Sequence, residues 1–113
     1  MAKWIDVGSL DQFPPGARQC VQAEWQVENG ARQLPVCLMN VAGTIVAIEN
    51  ICPHAGMPIG EGELSGKVLT CPFHGYAYNV ETGQNVDYPE DVQLRRLPVK
   101  AQGQRIVIDV AED

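Results

Sequence analysis

The stretch CPHAGMPIGEGELSGKVLTCPFHG, residues 52–75, carries two mixed pairs of metal-ligating side chains. The first pair is Cys52 and His54, and the second, after a gap of sixteen residues, is Cys71 and His74. Each pair offers one soft thiolate and one imidazole, a combination that transition metals favour and that folding alone does not require. Zinc modules usually place a close Cys pair before a separate His pair, so this mixed arrangement indicates a different kind of metal centre.

Two thiolates and two imidazoles suit a cluster of two irons. If the thiolates hold one iron and the imidazoles hold the other, each iron has two protein ligands, and bridging sulfides complete each tetrahedron. The spacing of the four residues leaves open which ligands share an iron.

Around this stretch the chain has the pattern of an all-β protein. Short runs rich in β-branched and aromatic residues alternate with Gly, Pro and Asn, which predicts a sandwich or barrel. The dipeptides Ala42-Gly43 and Gln102-Gly103 predict two antiparallel hairpins, and residues 9–13 predict one helical turn. Strands are expected at 4–7, 18–27, 36–41, 44–49, 67–71, 76–80, 94–99 and 105–110.

The length of 113 residues predicts a single domain, 1–113, whose metal-binding insert runs from about 51 to 89 between strands. Fourteen acidic against eight basic residues give a formal charge of −6, which disfavours nucleic acid and favours a partner with a basic docking face. The chain lacks an apolar run long enough to cross a bilayer or to act as a signal peptide. We therefore expect a cytoplasmic protein with no membrane partner.

Two further cysteines, Cys20 and Cys37, lie in strand-like runs with no histidine nearby. A buried free thiol in such a run behaves as a small hydrophobic side chain. We therefore expect both to be structural residues and not ligands.

The pattern C-x-H, a gap of sixteen residues and then C-x-x-H resembles the motif of the Rieske family. Residues 52–64 resemble the first cluster loop of bacterial Rieske-type ferredoxins, and residues 71–83 resemble the second. The resemblance implies one [2Fe-2S] cluster with Cys52, His54, Cys71 and His74 as ligands. It also implies an antiparallel β sandwich or barrel, with a cluster-binding subdomain of two loops inserted between strands.

The resemblance extends to residues around the ligands. High-potential respiratory members have a disulfide where this chain has Met57 and Phe73, and a serine donor to a bridging sulfide where it has Tyr76. Tyr78 matches their second donor, a tyrosine hydroxyl to a cluster thiolate. Fewer donors to sulfur stabilise the reduced cluster less, so we expect a potential toward the low end of the range of Rieske centres, roughly −150 to +300 mV.

Three small residues complete the expected surroundings of the cluster. Gly56 and Gly75 lie beside ligands, where the lack of a side chain lets backbone N–H groups approach sulfide and permits positive φ. Pro89, in the segment 87–90, corresponds to a third loop that covers the cluster in family members.

The chain has two histidines, and the motif uses both. None remains for the mononuclear iron of a Rieske oxygenase, and the chain has no nicotinamide or flavin signature. We therefore predict no catalytic residue and a one-electron carrier, which takes electrons from a flavin-dependent reductase and passes them to a terminal oxygenase. Two alternatives remain: the small subunit of an assimilatory nitrite reductase, with a large sirohaem partner, and a structural zinc module.

Overall fold

The computed structural model describes residues 2–53, 56–73 and 75–111. Antiparallel strands make up nearly all of its regular structure, so the all-β prediction is confirmed. One turn of 3-10 helix, Leu10–Gln12, follows the first strand. The strands are β1 Trp4–Ser9, β2 Arg18–Val27, β3 Gly30–Val41, β4 Thr44–Glu49, β5 Glu63–Ser65, β6 Val68–Thr70, β7 Ala77–Asn79, β8 Arg96–Leu97, β9 Val99–Gln102 and β10 Arg105–Asp109.

These strands form three sheets. The largest has the order β2-β3-β4-β8, and a second has the order β1-β10-β9. The third sheet, β5-β6-β7, is built entirely from the part of the chain between β4 and β8. This third sheet and its connecting loops carry the predicted metal ligands.

The central strand β3 contributes to two separate cores because successive side chains of a strand point to opposite faces. Val36 and Leu38 belong to one core, which packs against the sheet of β1, β9 and β10. Cys37 and Met39 belong to the other, which packs against the third sheet. All four are fully buried, so the continuous apolar run that follows Pro35 reflects burial on both faces.

The predicted hairpins are present, with small differences. Ala42 and Gly43 connect β3 to β4 with φ of 52° and 95°, the backbone that a two-residue turn between twisted strands requires. The turn between β9 and β10 lies one residue later than predicted, at Gly103-Gln104.

The expected strand over residues 94–99 is in fact two strands in two sheets. Leu97 of β8 pairs with Ala47 of β4, whereas Val99 of β9 pairs with Ile108 of β10. Pro98 lies between them, and because it has no N–H it cannot continue a ladder. Strand β3 also begins at Gly30 and not at residue 36, since β2 and β3 pair along ten consecutive positions. Strand β5 was not predicted from the sequence.

None of the segments that the structure describes forms a helix with the length and apolar character needed to cross a bilayer.

Candidate metal centre

The loop that follows Cys52 is closed by two backbone hydrogen bonds. The N–H of Cys52 donates to the carbonyl of Met57 at 2.7 Å, and the N–H of Gly56 donates to the carbonyl of Cys52 at 2.8 Å. Gly56 has φ of 67°, a conformation that a residue with a side chain rarely adopts.

The loop that follows Cys71 has the same construction. The N–H of Cys71 donates to the carbonyl of Tyr76 at 2.7 Å, and the N–H of Gly75 donates to the carbonyl of Cys71 at 3.0 Å. Gly75 has φ of 75°, close to that of its counterpart in the first loop. The two loops are therefore equivalent turns, each with a cysteine at its base, a proline next and a glycine four residues after the cysteine.

The structure buries both predicted thiolate ligands. Cys52 is 0% exposed and Cys71 is 1% exposed. Both belong to the core between the central sheet and the third sheet, together with Leu69 and Tyr78. The predicted ligands His54 and His74 lie outside the described residues.

The phenol of Tyr78 lies beside Cys52 with its hydroxyl unsatisfied. Tyr78 is fully buried, and its hydroxyl makes no hydrogen bond of normal geometry. Burial raises the pKa of Tyr78, and the adjacent Cys52 side chain raises it further, which keeps the hydroxyl protonated. A buried donor without an acceptor costs about 1–3 kcal/mol, so a thiolate at Cys52 would supply the acceptor that this hydroxyl lacks.

A buried asparagine connects this tyrosine to the third loop. Asn85 is fully buried and forms an isolated β-bridge with Tyr78. Its Oδ1 accepts hydrogen bonds from the backbone N–H groups of Asp87 and Tyr88, both at 3.0 Å. The segment that contains the candidate lid residue Pro89, which is itself exposed, is therefore held at its start by a residue packed under the cluster loops.

Hydrogen bonds from two part-buried side chains, Asn50 and Arg18, fix the end of the first loop. Oδ1 of Asn50 accepts hydrogen bonds from the N–H groups of Ile59 at 3.0 Å and Gly60 at 2.6 Å. The guanidinium of Arg18, on β2, donates to the carbonyl of Gly62 at 2.5 Å. Arg18, at the start of β2, and Asn50, directly after β4, thus both hold the end of the first loop.

Apolar side chains are concentrated on the surface of this part of the molecule. Among the described residues, five of the seven large exposed hydrophobic side chains lie between positions 57 and 92. Met57 and Phe73 lie in the two cluster loops, and Tyr88 lies in the third. Met57 and Phe73 are both exposed. Tyr76 is half-buried and packs against the core below.

These observations fit an iron-sulfur centre. Two buried cysteine thiols stand at the bases of equivalent loops, and a buried hydroxyl without an acceptor lies beside one of them. Sulfur ligands of clusters accept hydrogen bonds of this kind, which tune the redox potential. The fold and site together define a β-sheet redox protein whose centre lies beside the core between the central sheet and the third sheet.

Comparison with known proteins gives the family. The sequence profile of the Rieske [2Fe-2S] domain matches residues 3–98. The ferredoxin component of a naphthalene 1,2-dioxygenase system from Pseudomonas aeruginosa is 32% identical over 109 residues, covering 96% of this chain and 97% of that protein. The ferredoxin component of a 2,4-dinitrotoluene dioxygenase system from Burkholderia sp. (strain RASC) is 31% identical, covering 93% of both.

Solved structures show the same fold. A chain from the complex of reduced oxygenase and oxidized ferredoxin in carbazole 1,9a-dioxygenase superposes with a TM-score of 0.79 and 28% identity, covering 97% of this chain and 95% of that one. A nitrite reductase small subunit from Mycobacterium tuberculosis superposes with a TM-score of 0.77 but only 20% identity, over 100% of this chain and 99% of that one.

The chain therefore belongs to the Rieske [2Fe-2S] domain family, and its relatives include ferredoxin components of bacterial dioxygenase systems. Its cofactor is the Rieske [2Fe-2S] cluster, which disfavours the zinc alternative.

Asn50 and Asn85 carry no signal in the sequence that marks them as part of the site. Both occur between β runs, where asparagine most often marks a turn. The equivalence of the two loops was visible as C-P-x-x-G at residues 52–56 and again at 71–75.

Proposed function

We propose that this protein is the ferredoxin of a multicomponent oxygenase. It takes one electron from a flavin-dependent reductase and passes it to a terminal oxygenase. The chain would act as a single domain with a cluster-binding part at about residues 51–89. The ligands would be Cys52, His54, Cys71 and His74, with no catalytic residue.

The observation that carries this proposal is the pair of buried thiols at the bases of equivalent loops. With Cys52 and Cys71 inside the core, the ligands supplied from the tips would be the imidazoles of His54 and His74. Gly56, Phe73 and Gly75, which flank them, are exposed. A partner could then approach the histidine side of the cluster closely while the cysteine side stays sheltered from water.

The surface around the loops supports a protein partner. Met57, Phe73 and Tyr88 offer exposed apolar area, and such area at the centre of an interface supplies much of its binding energy. Acidic side chains are exposed nearby, in residues 61–63 and 87–91. With a net charge of −6, this surface favours a basic face on the reductase and on the oxygenase, since complementary charge speeds encounter.

The relatives support the oxygenase assignment over the nitrite reductase alternative. The dioxygenase ferredoxins are above 30% identical along nearly the whole chain, whereas the similarity to the nitrite reductase subunit is one of fold. We place the protein in the cytoplasm, a compartment in which cysteines such as its four unpaired ones remain reduced.

The first test is spectroscopic. Iron and acid-labile sulfide analysis should give two of each per chain, and the dithionite-reduced protein should give a rhombic EPR signal whose average g is well below the free-electron value. A colourless protein that contains zinc and no sulfide would refute the proposed centre.

The second test measures electron transfer from a reductase and to an oxygenase. Purified protein mixed with NADH and the flavin reductase of a dioxygenase system should be reduced, and a terminal dioxygenase with its aromatic substrate should reoxidise it. The same reduced protein should give no turnover of nitrite with a sirohaem nitrite reductase subunit. Nitrite turnover without oxygenase turnover would establish the alternative instead.

A further inference from the structure

Cys20 and Cys37 face each other across the first hairpin. They are directly opposed partners in the ten-residue pairing of β2 with β3, so their side chains lie on the same face of the sheet. Opposed residues of antiparallel strands have Cα atoms about 4.5–5.5 Å apart, within the separation of about 4.4–6.8 Å that disulfides span. The backbone therefore already holds the two residues at a distance that a disulfide can bridge.

The two sulfur atoms also lie beside the same residue, Gly60. A methyl group added at Gly60 would overlap both of them, at 2.9 Å from Sγ of Cys37 and closer still to Sγ of Cys20. Burial raises the pKa of Cys37, and a hydrogen bond to the Cys20 side chain raises it further. The structure has no bond between the two sulfurs, and both residues are free thiols.

The two thiols differ in their access to solvent. Cys37 is fully buried, whereas Cys20 is half-buried and lies on β2, one of the two edge strands of the central sheet. The positive charge of Arg18, on the same strand, lowers the pKa of Cys37, whereas the negative charge of Glu61 raises it. A thiol must be accessible to react, so Cys20, the more exposed of the two, is the residue that an oxidant would reach first.

We propose that Cys20 and Cys37 form a reversible oxidation site, in which hydrogen peroxide converts the dithiol to a cross-strand disulfide. The Cys20 thiolate attacks peroxide, the O–O bond breaks, and Cys20 becomes a sulfenic acid while water leaves after proton uptake. The Cys37 thiol then attacks that sulfur, and its proton leaves with the hydroxyl group as a second water molecule. Two thiols and one peroxide give one disulfide and two waters, a transfer of two electrons.

This site is distinct from the cluster ligands but lies next to the first cluster loop. Both sulfurs lie next to Gly60, whose N–H donates a hydrogen bond to Asn50. Oxidation at this point would spare Cys52 and Cys71, which are buried elsewhere in the same core. The pair could therefore take up oxidising equivalents while the cluster remains in place.

The test uses the cluster-loaded protein. It is treated with a small excess of hydrogen peroxide, the remaining thiols are blocked with N-ethylmaleimide, and the visible absorption of the cluster is recorded. Digestion with trypsin and a glutamate-specific protease separates residues 19–24, with Cys20, from residues 33–49, with Cys37. We expect these two peptides to be joined, lighter by two hydrogen atoms than the free pair, and to separate after treatment with dithiothreitol.

Two results would overturn the proposal. One is recovery of both peptides as blocked thiols, or of Cys20 as sulfinic acid without a link to Cys37. The other is a link that forms only after the cluster absorption has been lost, since the cysteines would then be reacting in a damaged protein.

A second measurement tests the dithiol without oxidation. Phenylarsine oxide binds two neighbouring thiols together, so the cluster-loaded protein should bind one equivalent, and C20S should bind none while keeping its cluster absorption. Equal binding by the parent protein and C20S would show that the pair is not available as a dithiol, and would refute the proposal even if C37S failed to fold.

Discussion

Replacement of Tyr78 by phenylalanine should lower the reduction potential of the cluster. The hydroxyl of Tyr78 is fully buried, lies beside Cys52 and has no acceptor of its own within the described part of the protein. With the cluster bound, the Cys52 sulfur would accept a hydrogen bond from it. Because the reduced cluster is more negative than the oxidised one, this bond stabilises the reduced form more, and its loss makes reduction harder.

The size of the change follows from the burial of the hydroxyl. A hydrogen bond to a charged group contributes about 1.5–3 kcal/mol, but the thiolate is an acceptor in both oxidation states, and only the difference between them affects the potential. If that difference is about 1 kcal/mol, a one-electron couple, for which 59 mV corresponds to a tenfold change, shifts by about 40 mV. No water can replace the lost donor at a residue that is 0% exposed.

The assay is an anaerobic redox titration of Y78F followed by the visible absorption of the cluster. Y88F is the matched control, because it makes the same chemical change at a residue that is 60% exposed in the third loop, and its potential should equal that of the parent protein. An unchanged or higher potential for Y78F, at full iron content, would refute the proposed hydrogen bond. Without the cluster, Y78F should have a free energy of unfolding about 1–3 kcal/mol higher than the parent protein, since it removes a buried hydroxyl that has no acceptor there.

Three further predictions concern stability and ionisation. N85A should lower the free energy of unfolding in urea by about 2 kcal/mol, because two backbone N–H groups of the third loop lose their acceptor. An unchanged urea midpoint would show that the loop does not depend on Asn85. G60A should lower the free energy of unfolding by about 1–3 kcal/mol, because the added methyl would overlap the sulfurs of Cys20 and Cys37. G8A, whose added methyl would make only an ordinary contact at 3.4 Å, should change it little. Equal losses for the two variants would contradict this. The hydrogen bond from Arg105 lowers the pKa of Asp6, so the stabilisation from this ion pair is present above the pKa of Asp6 in the unfolded chain and disappears as the pH falls through its pKa in the folded protein. In an NMR titration of R105Q, the pKa of Asp6 should return toward its ordinary value. An unchanged pKa would refute the interaction between Asp6 and Arg105.

Much of the fold could be predicted from local patterns in the sequence. The hairpin at Ala42-Gly43 has a two-residue turn with its own signature, and the apolar run after Pro35 indicates a strand buried on both faces. Pro98 marked a boundary that strand propensity alone did not resolve. The chain passes from the central sheet to the second sheet at Pro98. This change depends on which distant strands pair with each side of Pro98, and a local sequence pattern does not contain that information.

The candidate site likewise has a part that local sequence predicts and a part that depends on contacts between distant residues. A metal centre is specified by ligand type and spacing, so the motif at 52–75 identified it without any structure. Asn50 and Asn85 act through hydrogen bonds to residues that fold brings close, so their roles could not be predicted from their neighbours in sequence. Cys20 and Cys37 were expected to be buried structural thiols and not ligands. Their pairing follows from the register of β2 with β3, which begins at Val27 and Gly30, and Cys20 is only half-buried.

The two cores on opposite faces of the central sheet imply unequal responses to loss of the cluster. The core that contains the proposed ligands Cys52 and Cys71 would lose ligand-derived stabilisation when iron is removed, whereas the core of Leu38 and Ile106 contains no proposed ligand. Binding to the native state stabilises the cooperative unit that includes the site. Amide hydrogen exchange in the iron-free protein should therefore accelerate first in β5, β6 and β7, while β1, β9 and β10 stay protected. The fold would thus separate a scaffold whose stability does not depend on iron from a unit whose stability does.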